Sequence, residues 1–402
     1  MSAFLPPEAP PSKLGIYRVL SPKAGVRVSP LVLGGASVGS GNSGWKSVWG
    51  DMNETKAYQL LDKFYELGGN FIDTANNYQE ETSEKIIGKW AEEKGIRDQL
   101  FIATKYTSGY KKNDTSIKQK VQYVGNNAKS LHLSVEASLK KLRTSYLDLL
   151  YVHWWDFDSS VQEVMDALHN VVSQGKVIYL GISDTPAWIV SEANVYARMA
   201  GKTPFVVYQG AWNVMERSFE RDIIPMARAH GLALSPWNVL AGGKFRTDEE
   251  EKAHVEARKK GDGRQFPGTH ERTEKEIAMS RALEKVAREV GAKSIRAVAV
   301  AYLLQKTTYV FPVLGGRKPE NWEQNIEALD ISLSAAQFEE LEAVVPLDPG
   351  FPHNFVGDGS DINFFLKLEV NMQRVPLQQP LKSGSQEGTS EAALQAQFEN
   401  NV

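Results

Sequence analysis

Eight short apolar runs, separated by longer amphipathic stretches, limit what this chain can fold into more than any other feature. They fall at 31–34, 70–73, 100–104, 147–153, 177–182, 205–208, 232–235 and 309–313. Each is rich in β-branched or aromatic residues, and most lack polar alternation, as strands buried on both faces do. The stretches between them read as helices. Around 126–142, apolar side chains recur at Ala128, Leu131, Val135, Leu139 and Leu142, a spacing of three and four. Thr82 and Ser83 are candidate N-caps for a helix carrying Ile86, Ile87 and Trp90, and Gly95 is its candidate stop. Eight strand–helix units in 402 residues predict an α/β fold, a closed parallel (β/α)8 TIM barrel rather than an open sheet.

Additions to the barrel are also legible. Residues 15–27 read as an N-terminal β-hairpin turning at 21–25, either a plug for the barrel floor or a surface ribbon. A long loop follows the seventh strand, from 244 to about 275, dense in Glu, Lys and Arg around Gly261, Asp262 and Gly263. A connection of that length is usually functional or disordered, and its position on the catalytic face of a barrel suggests a flexible cover. Residues 1–13, with Pro6, Pro7, Pro10 and Pro11, and 381–402 hold too few apolar residues to offset the entropy of ordering them. Both ends are expected to be disordered, leaving 14–380 as the barrel domain; packing of the tail on a partner subunit is the alternative.

Composition narrows the function classes. A net charge of -3 leaves no electrostatic footprint for nucleic acid or an anionic membrane. There are no cysteines, hence no disulfides or thiolate metal sites. The opening residues lack a basic and then apolar signal segment, and no apolar run reaches membrane-spanning length. A cytoplasmic protein with a small-molecule partner is expected, its oligomeric state open.

Polar residues interrupt the predicted strand ends in a chemically suggestive way. The second strand ends in Asp73, with Tyr78 five residues on; the third supplies Lys105 and the fourth His153. Strand C-termini of a parallel barrel share one rim, so the four can converge. Singly, a rim lysine is more often solvated and a lone histidine more often a satisfied core group. Together they suit carbonyl reduction, which needs a hydride donor, a proton donor and stabilisation of charge on oxygen. A tyrosine with a pKa near 10 is a reluctant acid; a nearby ammonium lowers that value, and an aspartate positions the ammonium. No HExxH or similar ligand spacing occurs, so no metal is expected.

Asp73, Tyr78, Lys105 and His153, with the segments GGNFIDTANNY, SLKKLRTSYLDLLYVHWWD and GISD, resemble the aldo-keto reductase family over roughly residues 15–345. The likeness is greatest to its fungal aryl-alcohol dehydrogenase branch, which includes norsolorinic acid reductases of polyketide toxin pathways. The resemblance implies that Tyr78 is the general acid, that Lys105 and Asp73 tune it, and that His153 orients substrate. It implies NADPH as cofactor. Ser183, Asp184 and Gln209 would then hold the carboxamide, although many members have asparagine where Asp184 stands. Trp237 would stack on the nicotinamide, and Asn238, Gly242, Gly243 and Lys244 would form the pyrophosphate loop. Arg317 and Lys318 would take the 2′-phosphate, helped by a helix starting near Pro319, with Gln324 and Asn325 at the adenine.

Three further readings stay open. Residues 39–44, GSGNSG, satisfy GxGxxG, but no helix is predicted over 45–53, so they are read as a first βα loop near substrate. Trp45, Trp49, Trp154, Trp155 and Trp212 fall in predicted rim loops, as loop packing or as substrate contacts; Trp45 and Trp154 are the substrate candidates. A nicotinamide-binding regulatory subunit on the same barrel, and a metal-assisted hydrolase, are the rival functions.

Overall fold

A computed structural model of the chain describes residues 8–41, 43–259 and 271–383. Two antiparallel strands, β1 (Arg18–Ser21) and β2 (Ala24–Val28), precede eight parallel ones. These are β3 (Val32–Gly34), β4 (Phe71–Asp73), β5 (Phe101–Tyr106), β6 (Leu147–Val152), β7 (Val177–Ser183), β8 (Phe205–Gln209), β9 (Ala233–Leu234) and β10 (Val313–Leu314). They pair in the order β10-β3-β4-β5-β6-β7-β8-β9. Closure comes from single backbone bonds: Leu234 N to Tyr309 O at 2.9 Å, Phe311 N to Leu234 O at 2.8 Å, and Val313 N to Pro236 O at 2.8 Å. The predicted (β/α)8 barrel is what forms. β9 falls inside the run at 232–235, whereas β10 shares only Val313 with the run at 309–313, whose earlier part joins the sheet through an isolated bridge between Leu234 and Val310.

The hairpin is a plug. Leu20, Ala24 and Val28 are buried in one cluster with Val32, Phe71, Phe101, Ala103, Leu149, Val207 and Phe311, the inward side chains at the bottom of the barrel. The surface-ribbon reading is thereby excluded. Strand parity does the rest. Inward positions alternate, so the residue two beyond each floor residue also points inward, one layer higher. Phe71 is followed by Asp73, Ala103 by Lys105, Tyr151 by His153, Gly181 by Ser183, Val207 by Gln209 and Ala233 by Ser235. An apolar floor therefore gives way to a polar rim.

Helices wrap the sheet with the caps expected of them. Asn127 caps Ala128–Leu142 by accepting from Ser130 N, and Leu131, Val135 and Leu142 face the core. Gly95 ends Thr82–Lys94 in a left-handed conformation. The start of that helix corrects the sequence reading, since its N-cap residue is Glu81, without a side-chain cap. Thr82 Oγ1 instead donates to Gln79 O and accepts from Ser40 N, and Ser83 Oγ donates to Gly35 O. Both hydroxyls tie loops together at the rim.

Two connections hold more structure than expected. A short helix, Ser43–Trp49, begins within GSGNSG, contrary to the expectation for 45–53. The surrounding sheet is nonetheless a barrel in which β3 runs between β10 and β4, so no dinucleotide crevice of an open sheet exists there. The excursion after β9 contains the helix Asp248–Lys259, held by Arg246–Glu251, Arg272–Asp248 and Arg281–Asp248 ion pairs. Gly261, Asp262 and Gly263 lie outside the described residues.

At the ends, Ser12 Oγ donates to Leu67 O at 2.6 Å, and Lys13 pairs with Asp330. Residues 11–13 are thus attached to the barrel, while 1–7 lie outside the described residues. Beyond the helix Ala335–Val344 the chain continues over the surface, and Lys382 donates to Leu333 O at 2.8 Å. Residues 384–402 are outside the description. No helix among the described residues is long and apolar enough to cross a membrane.

Candidate active site

Lys105 is fully buried, and its ammonium is held on two sides. It donates to Asp73 Oδ2 at 2.6 Å and to Thr74 O at 2.8 Å, with the Tyr78 ring centroid 5.0 Å from Nζ. Burial works against its charge, but Asp73 and the Tyr78 oxygen outweigh that, holding Lys105 above the ordinary lysine value. The other Asp73 oxygen accepts from Gln209 Nε2 at 3.0 Å. Amide, carboxylate and ammonium therefore form one chain of charge-assisted bonds, with the phenol ring beside the ammonium.

The phenol departs from expectation in one respect. Burial raises Tyr78 above the ordinary tyrosine value, and the Lys105 charge opposes this without cancelling it. In the protein alone Tyr78 is thus a protonated donor. His153 meets it edge-on, with ring centroids 5.8 Å apart. Burial, and then the Lys105 charge, press the imidazole down to about 3, so it is neutral at physiological pH. Ser108 Oγ accepts from Trp154 Nε1 at 3.0 Å and lies 3.3 Å from His153 Nδ1. A serine proton given to Nδ1 leaves the ring proton on Nε2.

Tyr78 sits at the head of a strained turn. Gln79, Glu80 and Glu81 are all left-handed, with φ of 49°, 55° and 73°, a conformation that costs non-glycine residues about 1–2 kcal/mol each. Side chains hold it. Gln79 donates to Ala36 O and accepts from Gly41 N, each at 3.0 Å. Lys141, nearly buried, donates to Asn76 O at 3.0 Å and pairs with Glu84 at 2.6 Å and Glu81 at 3.2 Å. Lys111 adds a second cation at Glu81.

The other sequence candidates sort by position. Ser183 and Gln209 are buried neighbours on β7 and β8. Asp184, left-handed with φ of 43°, accepts from Trp237 Nε1 at 3.1 Å. Burial of its carboxyl raises it to about 6 against the bond from Trp237, though solvent reaches the residue and softens that push. The Trp237 ring is exposed beside it, Asn238 is left-handed, and Gly242 and Gly243 have positive φ with open space where a Cβ would stand. An open aromatic face next to bare backbone fits a nicotinamide dinucleotide. Lys244 turns away from this loop, donating to Glu271 O at 2.6 Å. Arg317 and Lys318 are exposed, and the Arg317 guanidinium lies against Gly50. The expected helix near Pro319 spans only Asn321–Ile326, too short for much dipole. Gln324 is exposed and Asn325 buried on it.

Of the five loop tryptophans, Trp155 and Trp212 pack inward, Trp212 stacked on Phe219 at 5.2 Å. Trp45 lies 6.2 Å from the Tyr78 ring, and Trp154 is tied to Ser108 beside His153. Sequence reasoning missed Ser108 and Lys141, whose roles are visible only in space. It also missed Tyr151, fully buried with an unpartnered hydroxyl, although Tyr151 shares inward parity with His153.

Comparison with known proteins agrees with this architecture. The barrel with a polar rim belongs to a class of oxidoreductases: a family model described as the Aldo/keto reductase family matches residues 30–346, and the chain belongs to that family. It is 53% identical to an NADP(+) aryl-alcohol dehydrogenase of Phanerodontia chrysosporium over 95% of this chain and 99% of that one. It is 48% identical to the aldo-keto reductase ausK of Emericella nidulans, covering 89% and 88%. It is 46% identical to norsolorinic acid reductase A of Aspergillus parasiticus, covering 93% and 95%.

Proposed function

We propose that the protein reduces an aldehyde or ketone to the alcohol with NADPH, using Tyr78 as proton donor. The observation that carries this is the bonded chain Gln209–Asp73–Lys105, with the Tyr78 ring beside the ammonium and a neutral His153 edge-on to that ring. The carbonyl oxygen would sit between the Tyr78 hydroxyl and His153 Nε2–H. Bound NADPH would supply the hydride to the carbonyl carbon. As charge grows on oxygen, the Tyr78 proton transfers to it, and Lys105 stabilises the phenolate left behind. A proton from solvent then restores the phenol. Ser183, Asp184, Gln209 and Trp237 would hold the nicotinamide, Asn238, Gly242 and Gly243 the pyrophosphate, and Arg317, Lys318, Gln324 and Asn325 the adenosine end.

The substrate reading is an aromatic or polyketide-derived carbonyl. Trp45 and Trp154 flank the tetrad, and the relatives' names point the same way. In Tyr78→Phe, NADPH binding should survive while reduction falls by roughly 10²-fold or more, as for loss of a general acid. Turnover like the wild type would refute the assignment. Benzaldehyde-type substrates should have a higher kcat/KM than short aliphatic aldehydes; equal values would remove the aromatic argument. NADPH binding with no turnover of any carbonyl would favour the regulatory reading.

A further inference from the structure

A guanidinium outside the segments so far considered stands at the adenosine end. Arg296 is the second residue of the helix Ile295–Lys306, whose N-cap Ser294 accepts from Arg296 N at 3.2 Å. Its side chain is about one-quarter exposed and makes two contacts. One is with Gln324 Oε1 at 3.4 Å; the other is an ion pair with Glu250, on the helix Asp248–Lys259. Glu250 has a separate structural duty. Its Oε2 accepts from Thr247 N at 3.0 Å while Thr247 Oγ1 accepts from Glu250 N at 3.1 Å, a reciprocal cap on that helix. Only Oε1 is committed to Arg296.

We infer that Arg296 is a further determinant of 2′-phosphate specificity, and that Glu250 occupies it until a phosphorylated nucleotide arrives. The inference rests on the NADPH reading and adds a residue to it. A guanidinium fork binds carboxylate and phosphate in the same geometry, so the two compete for one site. The phosphomonoester carries nearly two charges against the single charge of Glu250, which favours the exchange. Because the cap is independent of Oε1, the helix keeps its N-terminus when Arg296 lets go. A nucleotide lacking the 2′-phosphate has nothing to offer Arg296 and leaves the pair intact.

Calorimetric binding of 2′,5′-ADP and 5′-AMP to the apo protein tests this without turnover. Arg296→Gln should weaken 2′,5′-ADP about tenfold, the scale of one charged hydrogen-bonding pair, and leave 5′-AMP within about twofold. Glu250→Gln preserves the cap, since Gln serves equally at that position. It should tighten 2′,5′-ADP by a few-fold, and in the Arg296→Gln background it should do nothing. Unchanged 2′,5′-ADP affinity in Arg296→Gln, with that variant melting like the wild type, overturns the inference alone. Equal losses for both nucleotides would likewise assign Arg296 a purely structural role. Wild-type protein that binds neither 2′,5′-ADP nor NADPH overturns the cofactor reading itself.

Discussion

Asp184 brings a carboxyl to a position where an amide would be neutral, and its surroundings make it titrate in an unusual range. Burial raises it to about 6 although Trp237 Nε1 donates to it. A carboxyl raised in the folded state stabilises that state below its unfolded value, and loses the contribution as pH rises through the folded value. Asp184→Asn should therefore gain stability relative to the wild type as pH climbs from about 4 to 7. Solvent access limits the gain to about 1 kcal/mol. Paired thermal melts across that range check it, and a pH-independent difference would contradict it. At this scale the tetrad was legible, because strand parity puts Asp73, Lys105 and His153 on one rim whatever the loops do. Ser108 was not, because its role depends on a turn that brings Trp154 and His153 to one hydroxyl.

Elements were legible where burial wrote a period into them. The helix Ala128–Leu142 shows its apolar face in sequence because Leu131, Val135 and Leu142 must be dry. The helix Asp248–Lys259 has no such face: its one large apolar residue of known exposure, Val255, is exposed, and ion pairs hold it. Periodicity had nothing to report. The turn after Tyr78 is held in the same electrostatic way, through Lys141 between Glu84 and Glu81. Lys141→Met leaves Glu84, itself fully buried, without its cation. Removing one partner of a buried pair costs about 3–5 kcal/mol, and Asn76 O loses its donor at the same time. Urea denaturation should show that loss, with kcat falling more than KM changes. Adding Glu84→Gln should restore part of the stability; no recovery would mean that the charge pair is not the cause.

For the whole molecule, the barrel is finished by residues that precede it in the chain. Leu20, Ala24 and Val28 complete the packing beneath Phe71, Phe101 and Phe311. Leu20→Ala should destabilise the protein by about 2–5 kcal/mol, as large-to-small core changes do. The tetrad lies at the opposite end, so KM for substrate should hold at temperatures where the variant is folded. A large KM change with little loss of stability would mean that the floor communicates with the rim. The sequence allowed the hairpin two destinations, since its apolar residues alternate in either case; only the open end of the barrel decides between them. Sealing that end leaves a vessel with one doorway. In the proposed reading, cofactor and substrate would share that opening, so the molecule seated deeper would enter before its companion and leave after it.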